Sequence, residues 1–231
     1  MLSNYENVKK FLGIKLVNIE ANREKLKNVP WVRVLDLAKV YVVVLTMDDS
    51  GMCTATVNNR LLRNWGVDLE TLAADAEAAM KERFGCRILE VEELLLELSD
   101  MRGENNQALR DFIKTRRELL DETGDFKGHL FVLTNDVRIN GAACLTFKDV
   151  IESFGEKIGR DFYVIPSSIH EVLLLPFDAE ADSGEIESLI GEVNETQLSP
   201  EEVLSNNLYF YHREKGELMF AREDGDQHYA A

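Results

Sequence analysis

A chain of 231 residues with a 45% apolar share is long enough to bury a sizeable core, as one large domain or two small ones. Its 42 acidic against 26 basic side chains leave a formal charge of −16, which argues against direct nucleic-acid binding, where clustered Lys and Arg must meet phosphates. The longest apolar runs, 40–45 and 172–175, fall far short of the roughly 20 residues of a membrane helix, and Asn4, Glu6 and Asn7 interrupt any secretory h-region, so no membrane contact and a cytoplasmic location are expected.

In chain order, residues 13–19 alternate loosely and predict a strand, and the charged stretch 20–27 a turn of helix or a loop. Residues 32–47 are rich in Val, Leu and Tyr. Asp48-Asp49-Ser50-Gly51 then supplies turn chemistry before the β-favouring run 52–57, which predicts a hairpin, although 36–39 also admits a helical turn or a bulge. Asp68 holds an N-cap position, and Leu72, Ala76, Met80 and Phe84 recur at helical spacing until Gly85. Residues 87–91 predict a short strand and 92–98 the start of a helix. The polar stretch 101–127 keeps a weak helical stripe and is expected to be a mobile connector.

The second half opens with an apolar strand at 129–134, a polar turn at 135–141 and a returning strand at 142–147 whose alanines leave a helix open. Val150, Ile151, Phe154 and Ile158 form an amphipathic helix ended by Gly159. Strands at 162–165 and 171–175 follow, then a helix capped by Ser183. Ser199-Pro200-Glu201-Glu202 has the pattern of a capping box and predicts one more helical turn. A hairpin over 208–211 and 218–220 closes the fold, and the tail 222–231 is expected to be disordered. Strands joined by tight turns rather than helices predict an α+β fold with mainly antiparallel sheets. The expected organisation is an N-terminal lobe (1–100), the helical connector (101–127) and a C-terminal lobe (128–221).

Three constellations carry candidate chemistry. Ser167, Ser168, His170 and Glu171 form a polar insert between two apolar runs in FYVIPSSIHEVLLLP (162–176). A hydrolase would need His170 within reach of one serine and a carboxylate to orient it, but adjacent positions do not supply that geometry, and no G-x-S-x-G elbow is present. A turn or strand start is the leading role, ahead of a binding surface and then of catalysis. Asn135, Asp136, Arg138, Asn140 and Gly141 suit a hairpin turn, because Asn and Gly tolerate positive φ; a binding patch shared with His170 requires the two loops to adjoin. Asp36, with Asn58, Asn59, Arg60 and Arg63, is a carboxylate in an apolar run that needs a partner.

Trp31 and Trp65 are expected to pack. Cys53, Cys86 and Cys144 are expected as buried free thiols, and neither they nor the four histidines show metal-ligand spacing. Isolated glycines give no phosphate loop, so no cofactor is expected.

IPSSIHEVLLLP, preceded by VLTN (132–135) and NGAA (140–143), resembles an uncharacterised bacterial domain family common in anaerobic gut Firmicutes. The resemblance extends through LVNIEAN (16–22), LDLAKVY (35–41) and LYFYHR (208–213). It implies an intracellular bacterial protein associated with mobile elements or phage, with a longer N-terminus in other members, and it assigns no catalytic residue. The expectation is a non-enzymatic interaction or regulatory module that binds a protein partner through Asn135, Asn140 and His170. A hydrolase using His170 with Ser167 or Ser168 is the alternative, and an acidic DNA mimic a weaker one.

Overall fold

The computed structural model describes residues 4–221 except 49–50, 167 and 181. The expected turn at 49–50, Ser167 and the tail 222–231 therefore lie wholly or partly outside the described residues. A short helix α1 (Tyr5–Val8) and a 3-10 turn (Lys9–Phe11) lead into β1 (Leu12–Asn18), α2 (Arg23–Leu26), β2 (Trp31–Val34), β3 (Leu37–Asp48) and β4 (Gly51–Thr56). In this first sheet β3 is central: β1 runs antiparallel along one edge, while β2 and β4 both pair with β3. The extended segment expected from residue 32 onward is thus two strands. It reverses at Leu35-Asp36, with Val34 opposite Leu37. Leu35 takes a φ of 54° there, a conformation that no glycine or asparagine announces.

Helices α3 (Asn59–Trp65) and α4 (Leu69–Phe84) follow. The Asp68 carboxylate caps α4 by accepting from the Thr71 amide at 2.8 Å, and α4 lays Leu72, Ala76 and Met80 into the core beside β1. The chain then enters a second sheet with β5 (Arg87–Glu90), α5 (Val91–Met101), α6 (Gln107–Thr123) and β6 (Phe131–Thr134). The 142–147 stretch expected to pair as a strand is instead a 3-10 helix (Gly141–Thr146). Ala142, Ala143 and Cys144 are wholly buried in it, and their small side chains let it lie against both β1 and β6.

Next come α7 (Lys148–Ile158), β7 (Phe162–Ile165), β8 (Val172–Pro176), α8 (Ser183–Gln197), β9 (Tyr209–His212) and β10 (Glu217–Phe220). Asp182 rather than Ser183 caps α8. Glu202 does reach back to the Ser199 amide at 3.2 Å, but Pro200–Glu202 closes a turn and no helix propagates. The second sheet has the order β10-β9-β7-β8-β6-β5 and is antiparallel throughout. The fold is α+β with antiparallel sheets. One core cluster draws on both sheets, including Ile14, Tyr41, Leu133 and Phe162, and α8 covers the outer face of β7 and β9 through Ile186 and Ile190.

Candidate functional site

β7 and β8 pair with Ile165 opposite Leu173, so the polar insert is the loop of a hairpin, and β8 starts at Val172 rather than at Glu171. Ser168 organises the loop. Its buried hydroxyl donates to Glu171 Oε1 at 2.9 Å and accepts from the His170 amide at 3.0 Å, while its own amide donates to the Glu171 carbonyl at 3.1 Å. This is the local side-chain-to-backbone bonding by which Ser shapes a turn. Two further segments grip the loop: the Ile169 amide donates to the Glu202 carbonyl at 3.0 Å, and the Thr134 hydroxyl donates to the His170 carbonyl at 2.9 Å.

The loop after β6 meets it there. Fully buried Asn135 closes its own turn, its Nδ2 donating to the Ile139 carbonyl at 2.9 Å. Asn140, at a φ of 55°, donates its amide to His170 Nδ1 at 3.3 Å. That acceptor role puts the proton of neutral His170 on Nε2, which faces Glu202 Oε1 at 3.8 Å. The Glu202 carboxyl is held below its ordinary range by the Ser199 hydroxyl and amide, with His170 adding a smaller pull. A Cβ on Gly141 would come within 2.2 Å of Thr134 Oγ1 and 2.4 Å of the His170 carbonyl, so only glycine lets these loops touch. His170, Asn140 and Asn135 are therefore brought together, with Ser168 and Glu171 in the same knot. Arg138 and Asp136 turn to another neighbour, joining Arg87: Arg138 and Arg87 both bind Glu97 at 2.5 Å, and Arg87 lies 3.7 Å from Asp136.

The third constellation divides. Asp36 accepts from the Tyr209 hydroxyl at 2.5 Å, the Ser205 hydroxyl at 2.7 Å and Asn207 Nδ2 at 3.0 Å, which ties the β2–β3 turn to the start of β9 and the chain just before it. Burial and then the Asp36 charge push the Tyr209 phenol far above its ordinary pKa. Asn58 instead caps α3, accepting from the Leu61 amide at 2.8 Å, and Asn59 donates its amide to the Asn28 carbonyl at 3.0 Å. Trp65 packs on Tyr5 and Trp31 on the Leu26, Ala38 and Val40 cluster. The cysteines are free but unequal: Cys144 is buried, Cys86 half-buried, and Cys53 exposed, in a stretch of β4 where neighbouring Thr54 is exposed as well.

A buried pair, Glu90 and His129 with Nδ1 and Oε1 3.1 Å apart, carries no motif. Its only sequence signal is position, since Glu90 ends β5 and His129 lies two residues before the paired strand β6. Glu90 also anchors a reciprocal cap on α5 with Glu93, and a cleft of about 580 Å³ opens between this helix start and α6. A second cleft of about 320 Å³ lies beside the His170 loop, where Lys15, Asn18, Lys25, Ile169 and Glu201 converge. Among the described residues no group of three or more His, Cys, Asp or Glu side chains is placed to hold a metal ion, and no helix is long and apolar enough to cross a membrane.

No curated protein and no solved structure matches the chain. Over residues 1–213 it matches the model of a family of unknown function, DUF5688, and it belongs to that family.

Proposed function

We propose that the protein is a non-enzymatic interaction or regulatory module of the bacterial cytoplasm, acting among mobile-element or phage genes, with the His170 loop as part of a recognition surface for a protein partner or small ligand. The observation that carries this reading is the commitment of the Ser168 hydroxyl, which donates to Glu171 and accepts from the His170 amide. His170 in turn receives the Asn140 amide on Nδ1 and faces Glu202 with Nε2. A general base must lie within hydrogen-bond reach of the nucleophile it activates, and the bonds of Ser168 point elsewhere. The free thiols are in keeping with a reducing compartment.

A fluorophosphonate probe and a panel of ester substrates test the competing hydrolase reading. Wild-type protein is expected to show no labelling or turnover that Ser168→Ala or His170→Ala removes, and a serine adduct lost in both variants would overturn the proposal. Affinity capture from the native host is expected to retain a specific partner, less so with His170→Ala. Capture of no specific partner counts against the reading.

A further inference from the structure

We propose that the cleft between β1, α2 and the 199–203 turn is a binding site for a small organic anion, its charged oxygens held by Lys15 and Lys25 and its apolar body by Val17, Ile169 and Val203. This rests on the reading of the protein as a binding module and names the ligand class of one site on it.

Strand periodicity builds the first wall. Leu12, Ile14 and Leu16 enter the core, so Lys15 and Val17 are turned to the opposite face of β1. The second wall is the chain around Ile169 and Val203, fixed before any ligand arrives. The Asn18 side-chain Nδ2 donates to the Leu204 carbonyl at 3.2 Å, and the Ile169 backbone amide to the Glu202 carbonyl at 3.0 Å. Its volume of about 320 Å³ is at the small end of the range for small-molecule sites.

Charge selects the ligand. The chain carries −16 overall, and the basic residues around α2 are otherwise paired, Arg23 with Glu20 at 2.6 Å and Lys27 with Glu24 at 2.6 Å. Lys15 and Lys25 make no such pair within 4.0 Å among the described residues, although both line the cleft. Burial of Lys15, with repulsion from Lys25, lowers its pKa, and Glu201 only partly offsets this. A half-buried ammonium that Glu201 only partly compensates is unfavourable, and an anion entering the cleft lowers that cost while its apolar part covers Val17 and Ile169.

The groups facing Lys15 are Lys25 from α2 and Glu201 from the turn. A bound anion raises Lys15 back toward its ordinary pKa, so the complex holds more protons than the free protein. Binding then takes up protons and weakens as pH rises.

The test titrates the full chain with phenyl phosphate, benzoate and inorganic phosphate, with benzylammonium as the charge-reversed control, followed by amide NMR and by calorimetry in two buffers of different ionisation enthalpy. At least one anion is expected to saturate shifts at Lys15, Asn22, Ile169 and Val203 with proton uptake, and the better of phenyl phosphate and benzoate identifies the head group. Lys15→Met, which keeps the aliphatic stem, is expected to weaken binding about tenfold. Lys25→Gln, on an exposed helix, weakens it about threefold and covers the case in which the first variant does not fold. No saturable shift at these amides with ~10 mM anion, equal binding of benzylammonium, or affinity unchanged in both variants would overturn the assignment. An empty cleft without His170-dependent turnover sinks this inference alone. Turnover that needs His170, with anion binding intact, sinks the module reading and leaves the cleft.

Discussion

Asp36 gathers three donors from residues 205–209, at bonds of 2.5 to 3.0 Å. Removing the carboxylate strands the Tyr209 and Ser205 hydroxyls, so Asp36→Ala is expected to cost about 3 kcal/mol in urea denaturation. Tyr209→Phe, which deletes one donor and leaves Asp36 its other two, should cost about 1 kcal/mol. Equal losses in the two would refute the shared-acceptor role. That a carboxylate in an apolar run needs partners is legible in LDLAKVY. Which partners is not, because they lie some 170 positions away and nothing local encodes that reach. Tyr41 is the opposite case. Its hydroxyl is buried with no hydrogen-bond partner among the described residues, and burial, then Glu77, raises its pKa to about 12. The unfolded chain releases that proton near pH ~10, so this contribution to stability is complete below pH ~10 and is lost as pH rises to about 12. Tyr41→Phe is expected to leave neutral-pH stability unchanged or improved and to flatten the alkaline decline. An undiminished decline in the variant would show that other groups cause it.

Two glycines separate contact from conformation at the scale of the element. Gly191 lies in α8 with nothing within 4 Å of an added Cβ, whereas the Cβ of an alanine at 141 would meet backbone at 2.4 Å. Gly191→Ala is expected to stabilise by about 0.5–1 kcal/mol through helix propensity, and Gly141→Ala to destabilise by about 3 kcal/mol by prising the His170 loop from β6. Thermal melts decide both, and a tolerated Gly141→Ala would mean that the two loops are not locked. The same elements mark what the sequence pattern conveys. Helix α4 is legible because a cap, a periodic stripe and a terminal glycine agree. The 3-10 helix at Gly141–Thr146 is not, because AACL fits a strand as well as a helix and only its place between β1 and β6 selects the tight coil. The hairpin turn of β2 and β3 is equally silent, since a leucine fills the left-handed position. The candidate site follows this division: the turn chemistry of Ser168 and Asn140 is local and readable, but the meeting of their loops through Gly141 is tertiary.

The two sheets share one core at the scale of the molecule, and this bears on how the chain melts. Ile14 and Tyr41 of the first sheet pack in one cluster with Leu133 and Phe162 of the second, and the buried 3-10 helix touches both. Polar ties cross the same boundary: Asn18 Nδ2 donates to the Leu204 carbonyl, and Asp36 accepts from the Tyr209 hydroxyl. Unfolding either sheet alone would expose the other's apolar face and orphan these groups, so the two sheets are expected to unfold together. Trp31 and Trp65 both lie in the first part of the chain, so fluorescence follows the first sheet, while amide NMR of Val164 and Leu174 follows the second. Urea midpoints from the two probes are expected to coincide, and Asp36→Ala should lower both equally. Helices α5 and α6 provide the internal contrast. They are clasped by the exposed pairs Asp100–Arg110 and Glu93–Arg117, with Leu95 and Phe112 about half exposed, so their amides should exchange well before those of β7 and β8, and faster still in high salt. Separate midpoints for tryptophan and β7–β8 would instead divide the protein into the two lobes that its sequence suggests, with Asp36→Ala then weakening only their contact.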